Sequence, residues 1–235
     1  MHTILSLKKD MTGLAKKLHI APYCAKMRGK ETQSKMTVVC LDLEGVLSPE
    51  MWIAFSKASG VTELSRTTRD EPDYAKLMSW RLAILKEHKL GLHEIQRVIG
   101  TVEPLEGARE FLDELRSLTQ VVILSDTFTQ FAGPMMQKLG RPTIFCNTLE
   151  VATSGEITGF KIRVANPKLA AVRAFQSIGF RTVAAGDSYN DLAMINASAA
   201  GFLFRTTDAI KRDYPQIKAF ETYADLLEAI KGALD

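Results

Sequence analysis

Cysteine is scarce in this chain of 235 residues, and long apolar runs are absent. The three cysteines, Cys24, Cys40 and Cys146, are an odd number without CxxC or Cys/His spacing, which argues against a disulfide framework and favours a reducing compartment. The longest apolar stretches are about 5 to 8 residues, whereas a membrane-spanning helix needs roughly 20. The N-terminus also lacks the apolar segment and cleavage site of a secretory signal. We therefore expect a cytoplasmic protein with no membrane partner.

The net charge is only +3, but it is unevenly distributed. Residues 1–35 contain eight basic and two acidic residues, a net charge of +6, whereas the rest of the chain has 22 basic and 25 acidic residues, a net charge of −3. We expect residues 1–35 to be a basic, poorly ordered extension. It is an upstream addition to a protein that starts at Met36, an accessory tail, or a targeting segment. Because the body is mildly acidic, we expect no nucleic-acid partner.

The body of the chain alternates short β-like apolar runs with segments of helical period. This alternation predicts a Rossmann-like α/β fold, a three-layer α/β/α core around a parallel sheet. The predicted strands are residues 37–41, 121–124, 143–146, 182–185 and 201–204, and the predicted helices are 108–118, 131–139, 168–178 and 190–197. Residues 149–164 differ, because two β-like arms flank Ser154 and Gly155 and predict a hairpin.

Residues 49–103 interrupt the alternation with mainly helical patterns and no convincing buried strand. We therefore predict a catalytic core formed by residues 36–48 and 104–235, with residues 49–103 inserted as a helical cap. A cap at this point would lie over the carboxyl end of the sheet, where open α/β sheets bind ligands.

Polar side chains follow several of the predicted strands. Asp42 and Glu44 come directly after the first strand and point the same way on an extended segment. Alone, such a pair is more often a helix cap or an ion pair. Further polar groups follow later strands or open the helices between them, namely Ser125, Lys168, Asp187 and Asp191. Each has a structural alternative, as an N-cap, a solvated charge or a first-turn carboxylate, but the carboxyl ends of parallel strands meet at one edge, so together they predict a single site.

This combination has the parts that phosphoryl transfer requires. Asp42, Asp187 and Asp191 offer oxygen ligands for Mg²⁺, while Lys168 and the Ser125 hydroxyl could bind phosphoryl oxygens. Glu44 could then protonate the leaving oxygen and activate the acceptor. The sequence therefore predicts a magnesium-dependent enzyme that acts on a small phosphorylated molecule.

The ordered motifs DLEGVL, SDT, Lys168 and GDSYND resemble those of the haloacid dehalogenase superfamily. Within it, the chain is most similar to the phosphoserine phosphatase group, and the segments CLDLEGVL, PEMWIAF, TTRDEPDY, VVILSDTF and AAGDSYND are similar to the bifunctional phosphoserine phosphatase/homoserine phosphotransferase branch. The resemblance implies a four-helix cap, an aspartyl-phosphate intermediate, phosphoserine as substrate and homoserine as a possible acceptor. A homodimer is also expected.

Carried over by position, the resemblance assigns each site residue a role. Asp42 becomes the nucleophile, and Mg²⁺ is held by Asp42, the backbone carbonyl of Glu44 and Asp187. Whether Asp191 is a further ligand or orients Lys168 stays open. Phosphate is bound by Ser125, Asp126 and Lys168, with Asn190 also touching the substrate. In the cap, Glu50 would bind the ammonium and Arg81 the carboxylate of phosphoserine.

One position departs from the superfamily pattern, because Glu44 replaces the usual second aspartate. A side chain one methylene longer moves the acid/base group by about 1.5 Å, and we hypothesise that this permits an alcohol acceptor.

Two other classes of function share single features with this sequence. A receiver-type signalling domain has a phosphorylatable aspartate after its first strand, but neither the inserted cap nor the late GDSYND motif fits it. Binding of nucleic acid or membrane through the basic extension is the other alternative.

Overall fold

The computed structural model describes residues 36–67, 70–71 and 73–234, so the basic extension predicted for residues 1–35 lies outside the described residues. Seven strands form one sheet in the order β4-β3-β2-β1-β5-β6-β7. The strands are β1 Thr37–Leu41, β2 Gln120–Phe128, β3 Ile144–Val151, β4 Ile157–Lys161, β5 Arg181–Gly186, β6 Ala200–Phe204 and β7 Lys218–Phe220. Every neighbouring pair is parallel except β3 and β4. The predicted α/β class and parallel core are confirmed.

Helices cover both faces of this sheet. They are α1 Met51–Ser59, α2 Tyr74–Glu87, α3 Leu92–Ile99, α4 Ala108–Leu118, α5 Thr129–Lys138, α6 Pro167–Ser177, α7 Leu192–Ala197, α8 Asp208–Asp213 and α9 Tyr223–Lys231. Along β1 the side chains alternate between two hydrophobic clusters, with Val39 and Leu41 in one and Val38 and Cys40 in the other. This alternation is what places β1 in the middle of a three-layer core. Burial also raises the pKa of the Cys40 thiol to about 12, so it is an inert core residue.

The cap segment between β1 and α4 contains α1, α2, α3 and a 3₁₀ helix at Thr62–Ser65. Among the described residues this gives three α-helices, where the resemblance implies four. The apolar side chains of the cap belong to the same hydrophobic cluster as one face of the sheet. The backbone N–H of Leu92 at the start of α3 also donates to the Gly155 carbonyl at 2.9 Å. Cap and core are therefore packed together along α5 and the β3–β4 turn.

The structure corrects the predicted strands in two places. The run 143–146 and the first arm of the predicted hairpin are one strand, β3, which continues into the antiparallel β4. Strand β2 does not end before Ser125 but reaches Phe128, and its register with β3 shifts between Leu124 and Phe128. The backbone at Ser125 is therefore an irregular part of a strand and not the beginning of a loop.

No helix within the described residues is both long and apolar enough to cross a bilayer.

Candidate active site

The register of the three central strands brings the predicted site residues to one edge. Leu41 at the end of β1 pairs with Ile123 of β2 on one side and with Ala185 of β5 on the other. Asp42, the first residue after β1, donates its backbone N–H to the Ala185 carbonyl at 3.0 Å. Because the chain leaves β1 towards β2 and later returns to β5 on the other side, this edge is the topological switch point of the sheet.

Asp42 is 5% exposed, and its hydrogen bonds distinguish its two oxygens. Oδ1 accepts the Leu43 backbone N–H at 2.7 Å and lies 2.9 Å from Lys168 Nζ. Oδ2 has no hydrogen bond to any described residue. The carboxylate is therefore fixed through one oxygen and presents the other to the site.

Lys168 lies between two carboxylates. Its Nζ is 2.6 Å from Asp191 Oδ1, and the side chains of Lys168 and Asp191 are 4% and 0% exposed. The second oxygen of Asp191 accepts the backbone N–H groups of Asp187 and Ser188, each at 3.1 Å, and the Ser188 hydroxyl at 3.2 Å. Both oxygens of Asp191 are thus already used to hold Lys168 and the turn after β5.

The electrostatics of this group follow from burial and proximity. Burial raises the pKa of Asp42 well above its usual range, the charge of Asp191 adds to this, and Lys168 opposes it. Burial alone would lower the pKa of Lys168, but the charges of Asp191 and Asp42 hold it well above its usual range. The lysine is therefore a permanent buried cation, and the aspartates carry an excess of negative charge around it.

The donor set fits a hard divalent cation. Carboxylate oxygens of Asp42, Asp187 and Asp191 all lie within 4.8 Å of one another, and Mg²⁺ prefers oxygen ligands. The Glu44 carbonyl accepts no hydrogen bond from the described residues, so it is also available. Gly45 adopts a φ of +81°, and a Cβ there would be 2.4 Å from Asp187 Cγ. The absence of a side chain at this position is what lets the chain pass so close to the Asp187 carboxylate.

Ser125 and Asp126 lie beside this cluster on the irregular part of β2. The hydroxyl of Ser125, which is 4% exposed, accepts the Thr127 backbone N–H at 3.2 Å. The Asp126 carboxylate accepts the Asn190 side-chain amide at 2.9 Å, across from the turn after β5. The structure thus joins the predicted residues of β2 to those that follow β5.

Glu44 is half-buried and turned towards the cap. Its Oε2 accepts the Met51 backbone N–H at the start of α1 at 3.3 Å. Burial raises the pKa of Glu44 well above its usual range, and the charge of Glu50 and a hydrogen bond with its carboxyl raise it further. Glu44 and Glu50 therefore form one acidic pair at the junction of core and cap.

Arg81 on α2 is 4% exposed and has no carboxylate within ion-pair distance among the described residues. Its guanidinium lies 4.3 Å from the centre of the Trp52 ring, and Nη2 donates to the Arg66 carbonyl at 2.5 Å. Arg81 Nε is buried and has no hydrogen-bond partner in the part of the chain that the structure describes. Burial lowers the pKa of Arg81 to about 10, against the charges of Tyr74, Glu44 and Glu50, so the side chain stays cationic at neutral pH.

Two further polar residues of this region, Asn147 and Tyr74, were not predicted from the sequence. Asn147, 2% exposed on β3, donates its side-chain amide to the Asp126 carbonyl at 3.0 Å. Tyr74 at the start of α2 donates to the same carbonyl at 2.6 Å. Asn147 directly follows the predicted strand 143–146, and a polar residue at the end of a predicted strand was the available signal for it. No local pattern distinguishes Tyr74 from the other aromatic residues of the cap.

The close approach at Gly45 predicts the effect of adding one methyl group. With Mg²⁺ as the probe of this candidate cation site, we expect Gly45→Ala to lower the affinity measured by titration calorimetry about tenfold, because the added Cβ would overlap the Asp187 carboxylate. Gly60→Ala is a matched control, since Gly60 has a φ of +74° and a Cβ there meets no atom within 4 Å. It imposes the backbone strain without the overlap and should leave the affinity within twofold. Equal Mg²⁺ affinities for the two variants would contradict this account.

The raised pKa of Asp42 predicts a pH-dependent response to Mg²⁺. Without a cation, the folded Asp42 carboxyl holds its proton more tightly than the unfolded chain, which releases it near pH 4, so this group's contribution to stability is lost as the pH rises through the folded pKa. A divalent cation bound at Asp42 would compete with that proton. The increase in melting temperature on adding Mg²⁺ should therefore be larger at pH 8 than at pH 5, and Asp42→Asn should reduce the difference. A larger increase at pH 5 would refute the assignment.

Comparisons with known proteins agree with the geometry. The sequence profile of the haloacid dehalogenase-like hydrolases matches residues 36–198. The chain is 52% identical over 191 residues to "Phosphoserine phosphatase ThrH" of Pseudomonas aeruginosa, covering 81% of this chain and 93% of that protein. It is 50% identical over 189 residues to a phosphoserine phosphatase of Pseudomonas syringae pv. tomato, covering 80% of each.

A solved phosphoserine phosphatase, a phospho-aspartyl intermediate analogue, superposes with a TM-score of 0.67 at 20% identity and covers 83% of this chain and 99% of that one. A phosphoserine phosphatase solved in the apo form superposes with a TM-score of 0.65 at 22% identity and covers 85% of this chain and 98% of that one. These two likenesses concern the fold. Taken with the profile and the sequence relatives, they lead to one conclusion: the chain belongs to the haloacid dehalogenase-like hydrolase family.

Proposed function

We propose that this protein is a magnesium-dependent phosphoserine phosphatase that forms an aspartyl-phosphate on Asp42 and also transfers the phosphoryl group to homoserine. The observation that carries the proposal is the buried Asp42 carboxylate, fixed through Oδ1 by Lys168 and the Leu43 N–H, with Oδ2 left open. The names of the two sequence relatives, each about half identical to this chain, support the choice of phosphoserine.

In the first step, Asp42 Oδ2 attacks phosphorus and the bond to the serine oxygen breaks. Glu44 gives its proton to that oxygen, so serine leaves and the phosphoryl group stays on Asp42. A raised pKa keeps Glu44 protonated at a pH where an ordinary glutamate has ionised, which is the state that a general acid needs. Glu44 is then ready to accept a proton in the second step.

In the second step, Glu44 removes a proton from the acceptor and the acceptor oxygen attacks phosphorus. The bond between phosphorus and Asp42 breaks and regenerates the enzyme. Water as acceptor yields phosphate, and the homoserine hydroxyl yields phosphohomoserine. Both outcomes use one intermediate, so their ratio depends on which oxygen Glu44 can reach.

The positive charge needed by the phosphoryl group comes from two sources. Lys168 supplies a permanent cation beside Asp42, and the Ser125 hydroxyl supplies a donor. Asp42, Asp187 and the Glu44 carbonyl would hold Mg²⁺, which supplies charge neutralisation at the phosphoryl oxygens when bound. Because both oxygens of Asp191 are engaged by Lys168 and the turn after β5, we assign Asp191 to orienting Lys168 and not to the cation.

The cap supplies groups for the amino-acid part of the substrate. Arg81 is a buried cation that has no carboxylate partner among the residues that the structure describes, so the carboxylate of phosphoserine would satisfy it. The acidic pair of Glu44 and Glu50 suits the substrate ammonium in the same way. A cytoplasmic location and a homodimeric assembly stay predictions.

The test of this function is product analysis with the wild type and Asp42→Asn. We expect the wild type, given O-phosphoserine and Mg²⁺, to release serine and phosphate, and Asp42→Asn to be at least 10³-fold slower because an amide is a poor nucleophile. Asp208→Asn changes an exposed carboxylate and is the control, expected within twofold of wild type. Residual activity of Asp42→Asn within tenfold of wild type is incompatible with the mechanism.

The length of Glu44 predicts how the two acceptors compete. With phosphoserine and homoserine both present, Glu44→Asp should lower the ratio of phosphohomoserine to phosphate, because the shorter side chain withdraws the base by about 1.5 Å. Quantifying both products by ³¹P NMR measures the ratio. Glu63→Asp, on the exposed 3₁₀ helix of the cap, should leave it unchanged. An unaltered ratio in Glu44→Asp would count against the hypothesis.

A further inference from the structure

Tyr74 reaches from the cap into the phosphoryl-binding part of the core. It is the first residue of α2, whose start is fixed by the Asp73 side chain accepting the Lys76 backbone N–H at 3.1 Å. The ring of Tyr74 packs against Phe128, with centroids 6.5 Å apart. Its hydroxyl donates to the Asp126 carbonyl at 2.6 Å. A hydrogen bond therefore joins the first residue of a cap helix to the strand segment that carries Ser125.

The Asp126 carbonyl belongs to the peptide unit that links Asp126 to Thr127. This carbonyl accepts two hydrogen bonds, from the Tyr74 hydroxyl and from the Asn147 amide. The N–H of the same peptide unit donates to Ser125 Oγ at 3.2 Å. Because a trans peptide is planar and its C=O and N–H point in opposite directions, holding the carbonyl also aims the N–H.

The direction of that N–H decides what the Ser125 hydroxyl can do. A serine hydroxyl has one proton to donate and lone pairs to accept with. Here a lone pair of Oγ is engaged by the Thr127 N–H, and no described residue accepts the hydroxyl proton. The proton is thus left for a ligand. If the peptide unit rotated, Oγ would lose its donor and the hydroxyl would no longer be held in this orientation.

We propose that Tyr74 is a positioning residue that couples the seating of the cap to phosphoryl transfer, by holding the Asp126–Thr127 peptide so that the Ser125 hydroxyl donates to the phosphoryl group. This inference rests on the phosphoryl-transfer function proposed above. Burial raises the pKa of Tyr74 well above its usual range, so its hydroxyl keeps the proton that it donates throughout the neutral pH range. Tyr74 itself does not touch the reacting atoms.

The strand itself explains why such support is needed. The register between β2 and β3 shifts between Leu124 and Phe128, so the peptide after Asp126 lacks the regular ladder bonds that would fix its orientation. Asn147 supplies one replacement bond from within the core. Tyr74 supplies the other from the cap, and it is in place only when α2 is seated against the core.

The experiment is a double-mutant cycle of Tyr74→Phe and Ser125→Ala, measured with O-phosphoserine and, in parallel, with p-nitrophenyl phosphate. Phenylalanine keeps the contact with Phe128, and Asn147 still satisfies the carbonyl, so Tyr74→Phe should fold with a melting temperature close to wild type. We expect its kcat to fall about tenfold, with KM changed less than threefold. In the Ser125→Ala variant, adding Tyr74→Phe should lower kcat less than about threefold, because the Ser125 hydroxyl that Tyr74 positions is no longer present.

The matched control is Tyr214→Phe, which removes the hydroxyl of a half-buried tyrosine at the C-terminal end of α8, outside the motifs of the site. We expect it to retain kcat within twofold. A kcat of Tyr74→Phe within twofold of wild type would overturn the proposal. So would a double variant whose fold-loss in kcat equals the product of the fold-losses of the two single variants. If the wild type cleaves p-nitrophenyl phosphate but not O-phosphoserine, phosphoserine is not the substrate. The role of Tyr74 is then tested by the kcat values of the four enzymes with p-nitrophenyl phosphate.

Discussion

The site depends on one buried ammonium group held between two carboxylates. Lys168 contacts Asp42 and Asp191, and none of the three side chains is more than 7% exposed. Removing one member of such a buried set leaves an uncompensated charge, at a cost of about 3–5 kcal/mol. The arrangement therefore fixes the Asp42 carboxylate in space and sets the surplus of negative charge that a divalent cation would balance. The turn after β5 is tied to it through the second oxygen of Asp191.

Much of this arrangement could be predicted because it follows from local patterns and sheet geometry. Continuous apolar runs identified the central strands, and the polar residues just after them had to meet at one edge. The short elements α8 and β7 were not predicted, since six and three residues carry too little periodicity. The extension of β2 past Ser125 was also not predictable, because an irregular register depends on the neighbouring strand and not on local sequence.

The contacts that the cap makes with the site are the hardest to predict from sequence, because they join residues far apart in the chain. Arg81 stands out only once its packing over Trp52 and the absence of a hydrogen bond to its Nε within the described part of the chain are known. Tyr74 and Asn147 likewise acquire meaning only through the carbonyl that they share. The residues at the strand ends are thus marked by local motifs, whereas Arg81, Tyr74 and Asn147 are distinguished only by their packing.

The position of β1 between β2 and β5 has a consequence for protein synthesis. Asp42 is made early, but its supporting partners Lys168 and Asp191 come from the later half of the chain, and β5 must pair with β1 before they meet. The Asp42 carboxylate can therefore be held in this arrangement only after β5 and the turn that follows it have been synthesised and β5 has paired with β1.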